Sequence, residues 1–169
     1  MSLEQNKAIV LKFYEAFDQQ DIEQGLKLMS ADIVARGLDR NPLEGRDAVM
    51  QYGATMFAAF PDGRHILEEV IVEGDQVVTR GIFQGTHQGE LMGIPPTGKQ
   101  VTFSVIHIDR VENGKIVEHW GQGDVQELMQ QLGIMFFPSP TFIPYILKNI
   151  LSKVLKVFNY GCFDCASKK

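Results

Sequence analysis

A chain of 169 residues with 44% hydrophobic and 22% charged side chains can bury a real core and is neither disordered nor fibrous in composition. Its net charge of −5 argues against nucleic acid as a partner, because phosphate binding calls for a basic footprint. The opening segment, Met1 to Lys7, has no basic stretch followed by an apolar one, so a cytoplasmic location is expected.

The first half reads as helical. Ile9, Val10, Phe13, Tyr14 and Phe17 recur at spacings of three and four, which draws one buried stripe between Glu4 and Gln19. A short second helix from Asp21 has Ile22, Leu26 and Met29 as its inner face. A third, from about Asp47 to Phe60, carries Val49, Met56 and Phe57 and is halted by Pro61-Asp62-Gly63. The second half reads as strands: Ile66–Val72, Gln76–Gln84, Val101–Arg110 and Ile116–Gly121, with Gly74-Asp75 and Asn113-Gly114 as turns and a Gly/Pro-rich loop from Gly85 to Gly98. Asp124 suits the N-cap of a last short helix over Val125–Leu132, with Glu127 bonding back to the cap and Gly133 closing it. Helices first and antiparallel strands after indicate an α+β domain over residues 1–133.

Residues 134–169 form a C-terminal extension of different character. After Pro138, Pro140 and Pro144, an amphipathic helix is expected over about 142–158, with Ile143, Ile146, Leu147 and Ile150 on one side and lysines on the other. It is too short and too charged to span a bilayer. Packing on the domain, on a second subunit or over the pocket mouth is the plainer reading, and peripheral membrane contact is the alternative. Cys162 and Cys165 read as a tail pair, lacking the further ligands of a metal site and the strand–helix setting of a redox motif.

The chemistry-bearing residues are histidines. His107 and His119 flank Asn113-Gly114, so the turn decides whether they meet. A two-residue loop pairs Glu112 with Lys115 and sets His107 opposite Trp120, on opposite faces from His119. A three-residue loop with a bulge at Gly114 pairs Val111 with Lys115 and sets His107 directly across from His119, roughly 5 Å apart at Cβ. The second register is favoured because it gathers Phe103, Val105, His107, Val117, His119 and Gly121 on one face, leaving Ile106, Ile108, Ile116 and Trp120 on the other. Trp120 is expected to be a packing residue. Facing imidazoles in an apolar cavity would depress each other's pKa and assist a carbonyl oxygen near neutral pH.

The segment Gly85-Thr86-His87-Gln88-Gly89-Glu90-Leu91-Met92-Gly93-Ile94-Pro95-Pro96-Thr97-Gly98 resembles the G-x-H-x-G-x-x-x-G-x-P-P-T stretch of the SnoaL-like polyketide cyclases. The likeness continues through His107, Asn113 to Ile116, Glu118-His119, Asp124 and Gln131-Leu132-Gly133, and covers roughly residues 4 to 133. It implies the cone-shaped α+β fold of the nuclear transport factor 2-like superfamily, with a curved antiparallel or mixed sheet, usually as a homodimer. It also implies ring closure by intramolecular aldol condensation without metal or cofactor, an aspartate taking the proton α to a carbonyl while histidines and an asparagine assist.

His107 and His119 match the assisting histidines. The aspartate position is Gly121 here, and the asparagine position is about Ala35. Asp124 reads as a helix cap rather than a replacement base; Asp109 has the correct strand parity but lies towards the hairpin end. The expected site is therefore His107 and His119 as catalytic pair, with His87, Phe57, Phe103, Val105 and Gly121 contacting a hydrophobic small molecule. Three functions compete: a cofactor-independent cyclase of aldol-lyase or isomerase type, a non-catalytic carrier of an apolar ligand, and an interaction protein working through 142–158.

Overall fold

A computed structural model of the protein describes residues 2–134 together with Leu147. The chain divides into two units, Met1–Ile134 and Met135–Lys169. The expectations for the 142–158 helix and for Cys162 and Cys165 lie outside the described residues.

In the first unit, α1 spans Leu3–Asp18, and its start is secured by a reciprocal cap in which Ser2 Oγ accepts from Gln5 N–H and Gln5 Oε1 from Ser2 N–H. Its buried face carries Val10, Phe13 and Tyr14 into the core. Asp21 caps α2, Ile22–Leu28, by accepting from Gln24 N–H at 3.0 Å. The helix stops one residue short of expectation: Met29 opens a strand, β1, Met29–Arg36. A two-residue strand β2, Leu43–Glu44, precedes α3, Arg46–Ala59. Then come β3 (Arg64–Glu73), β4 (Gln76–Thr86), β5 (Gln100–Glu112), β6 (Lys115–Gly123) and α4 (Val125–Leu132).

The six strands make one curved, open, mixed sheet in the order β2-β1-β6-β5-β4-β3. All neighbours are antiparallel except β1 and β6, which run parallel with Ala35 beside His119. The first half is thus not wholly helical, because β1 carries the sheet past β6 and brings the Gly37-Leu38 turn over the site. The helices cover the concave face, where Val10, Tyr14, Met29, Ile33, Val77 and Ile116 pack as a continuous core.

The β5–β6 hairpin decides the site. Asn113 and Gly114 take φ of +49° and +77°, a two-residue turn of the primed kind, and Glu112 pairs with Lys115. The favoured three-residue loop is not formed. A bulge one pair further on, where Val111 faces Ile116 but Arg110 faces Glu118, leaves Val117 as the extra residue and restores the parity. His107 therefore lies opposite Gly121, and His119 opposite Asp109. The two histidines do share the concave face, by a different route from the one expected. Ile116, not Val117, is the buried member of that face.

The cap of α4 also differs in one bond. Asp124 accepts from Glu127 N–H at 2.8 Å, but its own N–H donates to Ser104 O at 3.0 Å, so the return bond from Glu127 is replaced by one from the sheet. Gly133 closes the helix in the left-handed conformation, as expected.

Candidate functional site

Between the helices and the concave face lies a partly open cavity of about 680 Å³, within the size range of small-molecule sites. Its walls are largely apolar, with Phe13, Phe17, Ile33, Leu38, Met56, Phe57, Phe83, Phe103 and Val105 among them. No lysine or arginine lines it among the described residues, and the carboxylates that do, Asp21 and Asp39, are exposed at its mouth. Its interior polar side chains are three imidazoles, His65, His107 and His119, with the hydroxyls of Tyr14 and Tyr52.

His119 and Asp109 form a buried pair across the β5–β6 ladder. His119 Nδ1–H donates to Asp109 Oδ1 at 2.8 Å, and Tyr14 from α1 donates its hydroxyl to Oδ2 at 3.0 Å. Asp109 is fully buried and has a partner on each oxygen, as burial of such a group demands. Burial, and then the adjacent Asp109, push the Tyr14 phenol well above its ordinary pKa, so it stays a donor. With Nδ1 occupied, Nε2 is the nitrogen of His119 left for a ligand.

His107 stands beside His119, ring centroids 5.3 Å apart, and neither of its nitrogens has a protein partner among the described residues. Burial, followed by repulsion from His119 and His65, holds its pKa well below the usual histidine value. At neutral pH it is an uncharged imidazole, able to donate from one nitrogen and accept at the other. Leaving it unpartnered costs on the order of 1–3 kcal/mol, which a ligand oxygen would offset.

A third imidazole completes a row. His65, at the start of β3, is 5.5 Å from His107 between centroids and also lines the cavity. Asp18, the last residue of α1, grips it twice, accepting from the backbone N–H at 2.9 Å and from Nδ1 at 2.7 Å.

Gly121 is part of a close approach between strands. A Cβ there would meet Leu38 Cδ2 at 2.5 Å, His119 Nε2 at 3.2 Å and His107 Nδ1 at 3.6 Å. One point in space thus lies within reach of both imidazoles, and the Leu38 side chain covers it. Gly37 makes this possible: its φ is +76°, and a Cβ on it would strike Gly121 O at 2.0 Å. Ala35 is fully buried next to His119 and offers no polar group.

Of the residues assigned from sequence, His107, His119, Phe57, Phe103, Val105 and Gly121 all line the cavity. His87 is a correction. It is fully buried outside the cavity lining, with Nδ1 accepting from the Thr97 hydroxyl at 3.1 Å and its ring against Phe60. Its backbone closes the same loop, N–H to Lys99 O and C=O from Gly98 N–H, each at 2.9 Å. His87 shapes the Gly85 to Gly98 loop, and its Nε2 is buried without a protein partner among the described residues. Trp120 is a second correction: it is 48% exposed on the convex face, with Arg36 stacked over its ring at 5.2 Å. Asp109, Tyr14 and the His65–Asp18 pair went unassigned in the sequence. For Asp109 the signal was its parity; for the others, contacts between distant segments left none.

A family model for the SnoaL-like polyketide cyclases matches residues 8–132. The chain is 30% identical over 129 residues to an aklanonic acid methyl ester cyclase of Streptomyces peucetius, covering 74% of this chain and 88% of that protein. It is 38% identical over 69 residues to a nogalonic acid methyl ester cyclase of Streptomyces nogalater, a stretch spanning 40% of this chain and 52% of that relative. Among solved structures, AclR of Streptomyces galilaeus, named as a candidate hydroxylase, aligns with a TM-score of 0.71 at 31% identity, over 78% of this chain and 98% of that one. IdmH of Streptomyces antibioticus, named as a candidate polyketide cyclase, aligns with a TM-score of 0.68 at 30% identity, over 76% and 99%.

Proposed function

The chain belongs to the SnoaL-like polyketide cyclase family, and from that premise we propose that it closes a ring in an apolar, uncharged carbonyl compound by a cofactor-independent aldol step. The observation that carries this reading is the Asp109–His119 pair facing the cavity. A base has to reach within about 3 Å of a carbon acid. Glycine at 121 cannot supply one, but His119 Nε2 opens towards the same spot.

His119 Nε2 takes the proton α to a carbonyl, and Asp109 holds the ring in the tautomer whose Nε2 is bare. Neutral His107 donates a hydrogen bond to the enolate oxygen as charge develops there. The enolate carbon then bonds to a second carbonyl carbon of the same molecule, whose π electrons move to its oxygen; that oxygen is protonated to the alcohol. Largely apolar walls, without lysine or arginine among the described residues, support an uncharged ligand, because a carboxylate inside would lie in low dielectric with no cation beside it. The convex face, with Ile106, Ile108 and Trp120 exposed, is the proposed contact of a homodimer.

The test is turnover of aklanonic acid methyl ester and nogalonic acid methyl ester by the full chain and by His119→Ala. Ring-closed product from the parent and none from the variant is expected; equal product from both would remove His119 from the chemistry. The alternative reading is a carrier of an unchanged apolar ligand, favoured by Gly121 and Ala35, which leave out two side chains of the family's site. Recovery of unaltered ester from a tight complex with the parent would select it.

A further inference from the structure

We infer that His65, held by Asp18, is a second acid–base residue of this cavity and delivers the proton to the acceptor oxygen in ring closure. This rests on the cyclase reading above and extends it to the half-reaction that reading leaves without a donor.

An intramolecular aldol needs two proton transfers at different atoms. One proton leaves the α-carbon; another arrives at the oxygen of the carbonyl that is attacked. The cavity holds three imidazoles in a row, His119, His107 and His65, with successive centroids 5.3 and 5.5 Å apart. The outer two share one design. Each has Nδ1 on a carboxylate, His119 on Asp109 at 2.8 Å and His65 on Asp18 at 2.7 Å, and each has Nε2 without a protein partner among the described residues. The middle ring has no carboxylate. That order matches the atoms of the reaction, with α-carbon, enolate oxygen and acceptor oxygen each meeting one ring.

His65 is fixed for this task. Its backbone N–H and Nδ1 are both gripped by one carboxylate, and its ring is wedged among Tyr14, Phe17 and Phe83 at 5.1, 5.5 and 5.3 Å. A pair serving only to tie α1 to β3 would not need to form part of the cavity wall, yet His65 does. In the step itself, imidazolium His65 with Nδ1–H on Asp18 gives up its Nε2 proton to the alkoxide as the new C–C bond forms. It ends as neutral imidazole, while His119 ends protonated, and exchange with solvent returns both to their starting forms.

Deuterium separates the two halves. The full chain is incubated with aklanonic acid methyl ester in D₂O, and mass spectrometry follows α-hydrogen exchange, above the protein-free rate, alongside ring closure. His65→Gln is expected to keep exchange within about twofold of the parent while closure falls by about 10²-fold, the lower range for losing a positioned acid–base group. His119→Ala should lose both. Asp18→Asn should lower closure and spare exchange, with Asp18→Glu recovering part of it. Closure at the parental rate in His65→Gln overturns the assignment and leaves the role of His119 standing. Equal loss of exchange and closure in both His65→Gln and Asp18→Asn also overturns it, since the pair would then serve the architecture alone. Neither exchange nor closure in the parent overturns the cyclase reading, and this inference falls with it.

Discussion

At the scale of single residues, the site depends on a polar chain through protein interior: Tyr14 to Asp109 to His119. Asp109→Asn keeps the size but offers a donor where an acceptor is needed, which favours the wrong tautomer of His119. Turnover should fall by about 10²–10⁴-fold in protein whose circular dichroism is unchanged, and the imidazole nitrogen shifts of His119 should report the exchanged tautomer. Tyr14→Phe leaves a buried carboxylate oxygen without its donor and should lower stability by about 1–3 kcal/mol, read from chemical denaturation. Asp109 was half legible in the sequence, since strand alternation gave its face. What was hidden was its depth in the sheet, because that depended on where the register would shift. His65 and Asp18 were illegible for another reason: their separation of 47 residues is bridged by a helix docking on a strand, and no local pattern records such a contact.

At the scale of elements, the β5–β6 hairpin shows how a correct conclusion can rest on a wrong register. Asn-Gly favours the two-residue turn that both positive φ values require, and that turn alone would separate the histidines. Val117 undoes this by adding one residue to β6 only. Deleting Val117 should return β6 to an unbroken ladder and send His119 to the convex face. Cyclisation should then vanish, and the His119 ring should react with an imidazole-acylating reagent at the rate of an exposed histidine. A slow, protected rate would count against this account of the bulge. Four long strands and α1 were legible from their residue pattern, α3 from its stop at Pro61 and α4 from its Asp124 cap and Gly133 stop. β1 was not, because its alternation is carried by little more than Ile33 and Ala35 among residues of low strand propensity.

At the scale of the whole molecule, burial of ionisable rings sets a pH window for stability. Burial holds the folded pKa of His107 well below the ordinary histidine value of 6.5, so between those two values the unfolded chain binds a proton that the fold excludes. The contribution of His107 is fully present above 6.5 and is lost as pH falls through that interval. Tyr14 acts at the other end: its folded pKa is raised above 10.0, so its contribution is present below 10.0 and is lost as pH rises beyond it. Thermal midpoints should therefore plateau between these limits, and His107→Leu should flatten the acid side. An unchanged acid slope in that variant would assign it to other groups. The convex face carries its own prediction. Ile106→Glu with Trp120→Glu should halve the sedimenting mass while leaving the fold intact, whereas a parent that sediments as a monomer would dismiss the proposed dimer.

The crossing of Gly37 and Leu38 over Gly121 has a consequence for how this protein can change. Placing an aspartate at 121 by a single substitution brings its Cβ to 2.5 Å from the Leu38 methyl, so that substitution is penalised until Leu38 has first given way. Gly121→Asp should destabilise more in the parent than in a Leu38→Ala background, a sign of epistasis readable as non-additive thermal midpoints. The leucine thus makes the side chain tolerated at 121 depend on the one at 38.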